Sequence, residues 1–145
     1  MARIIVALVC LWAAAASAQI ADDPVMLTQA GDRALEGVGA PQDDATAFDF
    51  YRRAAELGHA PAQFKLGVLH AAGRGTPQSD AAAADWYRKA VAQNYIPAMA
   101  NLGVMYMEGR GVTRDPVLAR LLLSRAAEAG DKRARDYLIT HAEAP

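Results

Sequence analysis

An all-α fold, a right-handed solenoid of antiparallel helix pairs, follows from three observations on the 145-residue chain. The first is a repeated stretch. Pro61 to Gly75 reads PAQFKLGVLHAAGRG, and 36 residues later Pro97 to Gly111 reads PAMANLGVMYMEGRG. The second is that other residues keep the same spacing: Ala54, Ala90 and Ala126; Arg53, Lys89 and Arg125; Tyr51 and Tyr87. The third is an apolar stripe at i, i+4, i+7 within each copy, the spacing of one helix face. A fixed period of this length is the mark of stacked supersecondary units, each too small to bury its apolar face alone.

Residues 1–18 read as a secretory signal. Met1-Ala2-Arg3 is a cationic start, Ile4 to Ala16 an apolar run, and Ala16-Ser17-Ala18 a small-residue cleavage site. The run is shorter than the ~20 residues a membrane span needs. Cys10 lies inside it behind Val9, which does not suit a lipidation site. Cleavage after Ala18 is therefore expected, with a periplasmic or secreted destination and no membrane span in the mature chain. Residues 19–24 read as a flexible lead-in.

A worn first repeat follows over 25–60. One period before Leu66-Gly67 stands Ala30-Gly31, and before Gly73-x-Gly75 stands Gly37-Val38-Gly39. End repeats of solenoids are atypical because one face meets water. Full repeats are expected over 61–96 and 97–131. Helix A of each begins at Pro61 or Pro97, where a missing N–H is harmless, and closes at Gly73 or Gly109. Its stripe is Ala62, Leu66, Leu69 or Ala98, Leu102, Met105. Helix B is announced by Asp43-Asp44, Ser79-Asp80 and Asp115-Pro116, all capping residues. Its stripes are Ala47, Tyr51, Ala54; Ala83, Tyr87, Ala90; and Ala119, Leu123, Ala126, ended by Gly58, Asn94 and Gly130. A last A-type helix over 132–142, carrying Ala134 and Leu138, reads as the cap, with 143–145 a tail.

Gly31, Gly67 and Gly103 recur inside helix A, where glycine costs about 1 kcal/mol relative to alanine. That cost points to a helix crossing too close for a Cβ, with Ala54, Ala90 and Ala126 as the expected small partners. Charge is balanced, 15 Lys+Arg against 16 Asp+Glu, so nucleic acid is not an expected partner. The one cysteine is Cys10; beyond the signal, packing alone must hold the fold.

These residues together resemble the SEL-one-like repeat family, relatives of the tetratricopeptide repeats. The match over 96–131 is carried by Ala98, Leu102-Gly103, Tyr106, Gly109-x-Gly111-Val112, Asp115, Ala119, Arg125-Ala126-Ala127 and Gly130. Over 60–95 His70 replaces the tyrosine and Thr76 the valine; the pair Trp86-Tyr87 becomes Leu122-Leu123 one repeat later. The resemblance covers about residues 25–140 and implies an α-solenoid acting as a protein-binding adaptor, with no reaction. Some secreted relatives are described as β-lactam-binding, but those are cysteine-rich.

No catalytic constellation is legible. His59, His70 and His141 lack metal-ligand spacing, and His70 reads as a packed residue at a tyrosine position. Ser79 and Ser124 lack nucleophile motifs. Gly73-x-Gly75 and Gly109-x-Gly111 follow helices, not strands, so they close helices instead of cradling phosphate. The expectation is a non-enzymatic adaptor for a protein or peptide, with no cofactor or metal. The rivals are a small-molecule or cell-wall-related binder or hydrolase with a β-lactam-like ligand, and a permanently docked accessory subunit.

The resemblance to tetratricopeptide repeats implies that the A helices line the inner surface. Counted from the Leu-Gly pair, the groove positions are Phe64, Val68, Ala71 and Ala72; Ala100, Val104, Met107 and Glu108; and Thr28, Asp32, Leu35 and Glu36. Phe64, Val68, Val104 and Met107 would form an apolar strip beside the carboxylates Asp32, Glu36 and Glu108, suiting a peptide with a basic end. The same residues could instead pack against the neighbouring A helix, and the sequence leaves both readings open. Arg74 and Arg110, at equivalent turns, are either an edge site for an acidic partner or solvated and capping residues.

Overall fold

The computed structural model describes residues 23–141, so the signal expected over 1–18 lies outside the described residues. Seven helices follow one another and no strand occurs among those residues: α1 (Pro24–Glu36), α2 (Asp44–Glu56), α3 (Ala60–Ala72), α4 (Asp80–Ala92), α5 (Ile96–Glu108), α6 (Pro116–Glu128) and α7 (Lys132–Thr140). The odd-numbered helices are the A type and the even-numbered the B type. Each A helix packs on its own B helix, α1 on α2, α3 on α4 and α5 on α6, and each pair joins the next through α2–α3, α4–α5 and α6–α7.

The helix starts are set by short-range chemistry. Asp43, Ser79 and Asp115 cap the B helices, their side chains accepting from backbone N–H groups of the first turn. Helices α3 and α5 start one residue before the proline, at Ala60 and Ile96, with no side-chain cap at His59 or Tyr95. Proline at the second position forfeits nothing, since that N–H has no intrahelical acceptor. Gly37, Gly73 and Gly109 take the left-handed conformation that ends each A helix.

Every residue of the expected stripes is buried, from Ala47, Tyr51 and Ala54 on α2 to Ala98, Leu102 and Met105 on α5. The buried residues form two clusters. One joins α1, α2 and α3 around Tyr51, Leu66 and Leu69. The other runs from α4 to α7 around Tyr87, Met99, Leu102 and Leu123. Burial of large side chains such as these, each contributing about 1.5–3 kcal/mol, is the main force that stacks the pairs.

The helix-interior glycines have a different partner from the expected alanines. A Cβ built on Gly67 would lie 2.5 Å and 2.7 Å from Cε1 and Cδ1 of Tyr87, and one on Gly31 the same distances from those atoms of Tyr51. At Gly103 the obstacle is Leu123 Cγ, 2.8 Å away, with the Ala119 carbonyl oxygen at 3.2 Å. The missing side chain makes room for a tyrosine ring at Gly31 and Gly67 and for leucine at Gly103, so the partner is large instead of small. Ala54, Ala90 and Ala126 are fully buried elsewhere on the same stripe.

A second pair of glycines joins successive repeats. Gly75 and Gly111 have φ of 68° and 67°, and a Cβ on either would run into the backbone of Asp44 or Asp80 at the start of the preceding B helix. Both the dihedral and the close approach require glycine.

Candidate functional site

The turn that carries Gly75 also carries Arg74, and that turn reaches back one repeat. Arg74 donates from Nε to Asp44 Oδ2 at 3.0 Å and from Nη2 to Oδ1 at 2.7 Å, a two-pronged grip. This hydrogen bond holds the Asp44 carboxyl below its ordinary value and raises the guanidinium. Arg110 faces Asp80 in the same way but more loosely, 3.8 Å from it and 3.7 Å from Glu108. Arg74 is thus committed to tying repeats together, whereas Arg110 has no hydrogen bond to either acid.

Of the expected groove residues, the structure brings Val68 and Val104 together. They line a cleft of about 360 Å³ between α3 and α5, with Ala71, Ala72, Met105, Tyr87, Asn101 and Arg110 completing its wall. A smaller cleft of about 170 Å³ follows between α5 and α7, sharing Asn101 and Val104 and adding Arg133 and Tyr137. Phe64 does not join them. It is half-buried, its ring 5.8 Å from that of Tyr87 and 5.6 Å from that of Tyr95. Of the equivalent positions, Thr28 is buried, which corrects its expected groove exposure, and Ala100 is buried but lines the smaller cleft. This position packs inward, Thr28 Oγ1 meeting His59 Nδ1 and Phe64 meeting the rings of Tyr87 and Tyr95.

Met107 packs against the core around Leu102, and its carbonyl accepts from Arg114 Nε at 2.9 Å. Glu108 and Glu36 are exposed at the ends of their helices. Asp32 is occupied: Tyr51 donates its hydroxyl to Oδ1 at 2.6 Å and Lys65 Nζ donates to the same atom at 2.7 Å. Burial first, then that hydrogen bond, pushes the Tyr51 hydroxyl well above its ordinary value. His70 sits edge-on to Phe48 with ring centroids 5.2 Å apart, and its buried Nδ1 has no partner among the described residues. Burial lowers its basicity.

Sequence reasoning missed Lys65, Asn101, Arg133 and Tyr137. A signal existed: the residue before the leucine position of each A helix, held by Ala30 in the first repeat, reads Gln29, Lys65, Asn101 and Tyr137, polar or amphipathic at each period. It also missed Gln63, whose Nε2 donates to the Ala55 carbonyl and whose Oε1 accepts from Gln93, a buried polar bridge between repeats.

Among the described residues no group of three or more His, Cys, Asp or Glu is placed to hold a metal, and no helix is long and apolar enough to cross a membrane. The family model of the Sel1 repeat matches residues 27–59, 60–95 and 96–131. The chain is a member of the Sel1 repeat family. Its fold is shared by c5321, a protective antigen present in uropathogenic Escherichia coli strains that displays an SLR fold. That match has a TM-score of 0.81 and 34% identity over 86% of this chain and 27% of the other. A Sel1 repeat protein from Oxalobacter formigenes matches with a TM-score of 0.75 and 35% identity, over 78% of this chain and 46% of the other. Helicobacter pylori cysteine rich protein B, at 22% identity, shares the fold alone, with a TM-score of 0.65 over 77% of this chain and 88% of its own. No curated protein sequence matches the chain. Under half the length of the first two structures is spanned by this Sel1 protein. Sel1 repeats typically mediate protein interactions, and the family is generally one of non-enzymatic scaffolds.

Proposed function

We propose that this Sel1 protein is an exported, non-enzymatic adaptor that holds a segment of a partner protein on the face formed by its A helices. The observation that carries the reading is the open cleft between α3 and α5, lined by Val68, Ala71, Val104 and Met105 with Arg110 at its wall. A stack of A helices presents such clefts in series, at α3–α5 and again at α5–α7, which suits an extended chain more than a compact ligand. Asp32 is spent on Tyr51 and Lys65, and Met107 and Phe64 on packing, so Val68 and Val104 are the apolar anchors in this reading. Arg74 serves cohesion and Arg110 serves binding. Export rests on the signal read in residues 1–18.

The test is affinity capture with the mature chain from periplasmic extract, run beside a variant carrying Val68→Ser and Val104→Ser. Capture of one discrete protein by the wild type, lost in the variant at an unchanged melting temperature, is the expected result. A partner retained equally by both would overturn the assigned face. A melting temperature raised by β-lactam or cell-wall fragments, with no protein captured, would overturn the adaptor reading itself.

A further inference from the structure

The α3–α5 cleft differs from the junction one repeat earlier by a missing carboxylate. Tyr51 and Tyr87 stand one period apart, and each ring lies over the glycine of its own A helix. At the first junction the Tyr51 hydroxyl and Lys65 Nζ both donate to Asp32 Oδ1, at 2.6 Å and 2.7 Å. Three groups close on one another there. At the second junction the same register puts Val68 in the place of Asp32 and Asn101 in the place of Lys65. Asn101 Nδ2 donates to the Tyr87 hydroxyl at 3.1 Å, and no acceptor for the hydroxyl's own proton occurs among the described residues. Tyr87 lines the open cleft, so that proton is available to an incoming acceptor.

The charges reverse as well. Asp32 and Glu36 act on the Tyr51 hydroxyl, with Arg74 opposing them, whereas Arg110 and Arg133 act on that of Tyr87, with Asp80 opposing them. Arg110 lines the cleft with a guanidinium that lies 3.8 Å from Asp80 and 3.7 Å from Glu108. Its counterpart Arg74 is gripped by Asp44 at 2.7 Å. The second junction therefore offers a hydroxyl donor, an amide donor and a guanidinium fork above apolar side chains, with no carboxylate of its own at the position that supplies one next door.

We propose that this cleft accepts an Asp or Glu side chain of the partner protein, seated beside an apolar residue, in the place that Asp32 fills for Tyr51. The protein displays its own version of the bound state one repeat away. Donors held in place by the fold bind a carboxylate through charge-assisted hydrogen bonds, about twice as strong as neutral ones. A cleft of about 360 Å³ is of the size that takes a small ligand, so an acidic side chain and an apolar neighbour fit it. Val68 and Val104 receive the apolar neighbour.

This assignment rests on the adaptor reading, and the experiment separates the two. A random peptide library displayed on phage is panned against the purified mature chain, and the enriched peptides are synthesised. Each is measured by calorimetry against wild type, Val68→Asp and Arg110→Gln, with denaturant melts to show that the variants fold. The expected result is a shared Asp or Glu next to an apolar residue. Exchange of that acid for its amide should weaken binding at least tenfold, as should either variant. Val68→Asp acts by placing the protein's own carboxylate in the cleft; should it fold poorly, Arg110→Gln, on the exposed turn, carries the test. Peptides that need Val68 and Val104 but carry no acid would overturn the carboxylate assignment and leave the adaptor reading standing. No enrichment would overturn both.

Discussion

The junction between the first and second repeats and the junction between the second and third use the same backbone for opposite ends. At the first, Thr28 Oγ1 meets His59 Nδ1 at 2.8 Å, Asp32 binds Tyr51 and Lys65, and Arg74 grips Asp44. At the second, the equivalent positions hold Phe64 against Tyr95, Val68 beside Tyr87 and Asn101, and Arg110 paired only loosely with Asp80. Polar pairs close the one; apolar contacts leave a cleft in the other. A repeat protein thus separates cohesion from binding by changing side chains at fixed register, without altering a helix.

Breaking the shared frame has the largest expected effect. Leu102, 2% exposed, supports the second junction from beneath, and Leu102→Ala should cost about 2–5 kcal/mol as a large-to-small core change. Urea denaturation checks this; an unchanged midpoint would mean that the stacking register is wrong. Next comes Gly67→Ala. The added methyl drives the Tyr87 ring from its seat, an overpacking cost of about 1–3 kcal/mol set against about 1 kcal/mol of helix propensity gained. The net loss should be smaller than for Leu102→Ala, and near-UV circular dichroism should report a displaced tyrosine.

Asp32→Val makes the first junction resemble the second. It removes the acceptor of both Tyr51 and Lys65 at a site whose charged partners are 36% exposed, so a loss of about 1 kcal/mol is expected. Calorimetric melting at two salt concentrations should show that loss shrinking with salt.

The smallest effect is that of pH, and it acts on the first junction alone. Burial holds His59 and His70 below the ordinary value of 6.5 in the folded chain, and both contact that junction, through Thr28 and Phe48. The unfolded chain therefore binds more protons below that value. This stabilisation is fully present above pH 6.5 and is lost as pH falls through the folded-state values. Hydrogen exchange at pH 7 and pH 5 should show α1 and α2 losing protection before α5 and α6.

Much of the frame was legible because it is local or periodic. The caps Asp43, Ser79 and Asp115, the stripes through Leu66 and Leu102, and the closures at Gly73 and Gly109 depend on residues within a turn or on a single period. The glycine at 67 signalled a close approach, but not that a Tyr87 ring causes it, since that depends on the ring's rotamer. Val68 lines a cleft while Phe64 packs on Tyr87 and Tyr95, and both depend on how α3 sits against α4 and α5, which no single helix encodes. Arg74 and Asp44 lie 30 residues apart, and only the folded turn shows that Arg74 is gripped while Arg110 is held more loosely.

The difference between the junctions is tested most directly by the exchange of tyrosine hydroxyl protons with water, measured by NMR on the unmodified protein. The hydroxyl proton of Tyr51, donated to Asp32, should be slow to exchange, and that of Tyr87 fast. Equal protection at Tyr87 would contradict the account, because the second junction would then be as closed as the first.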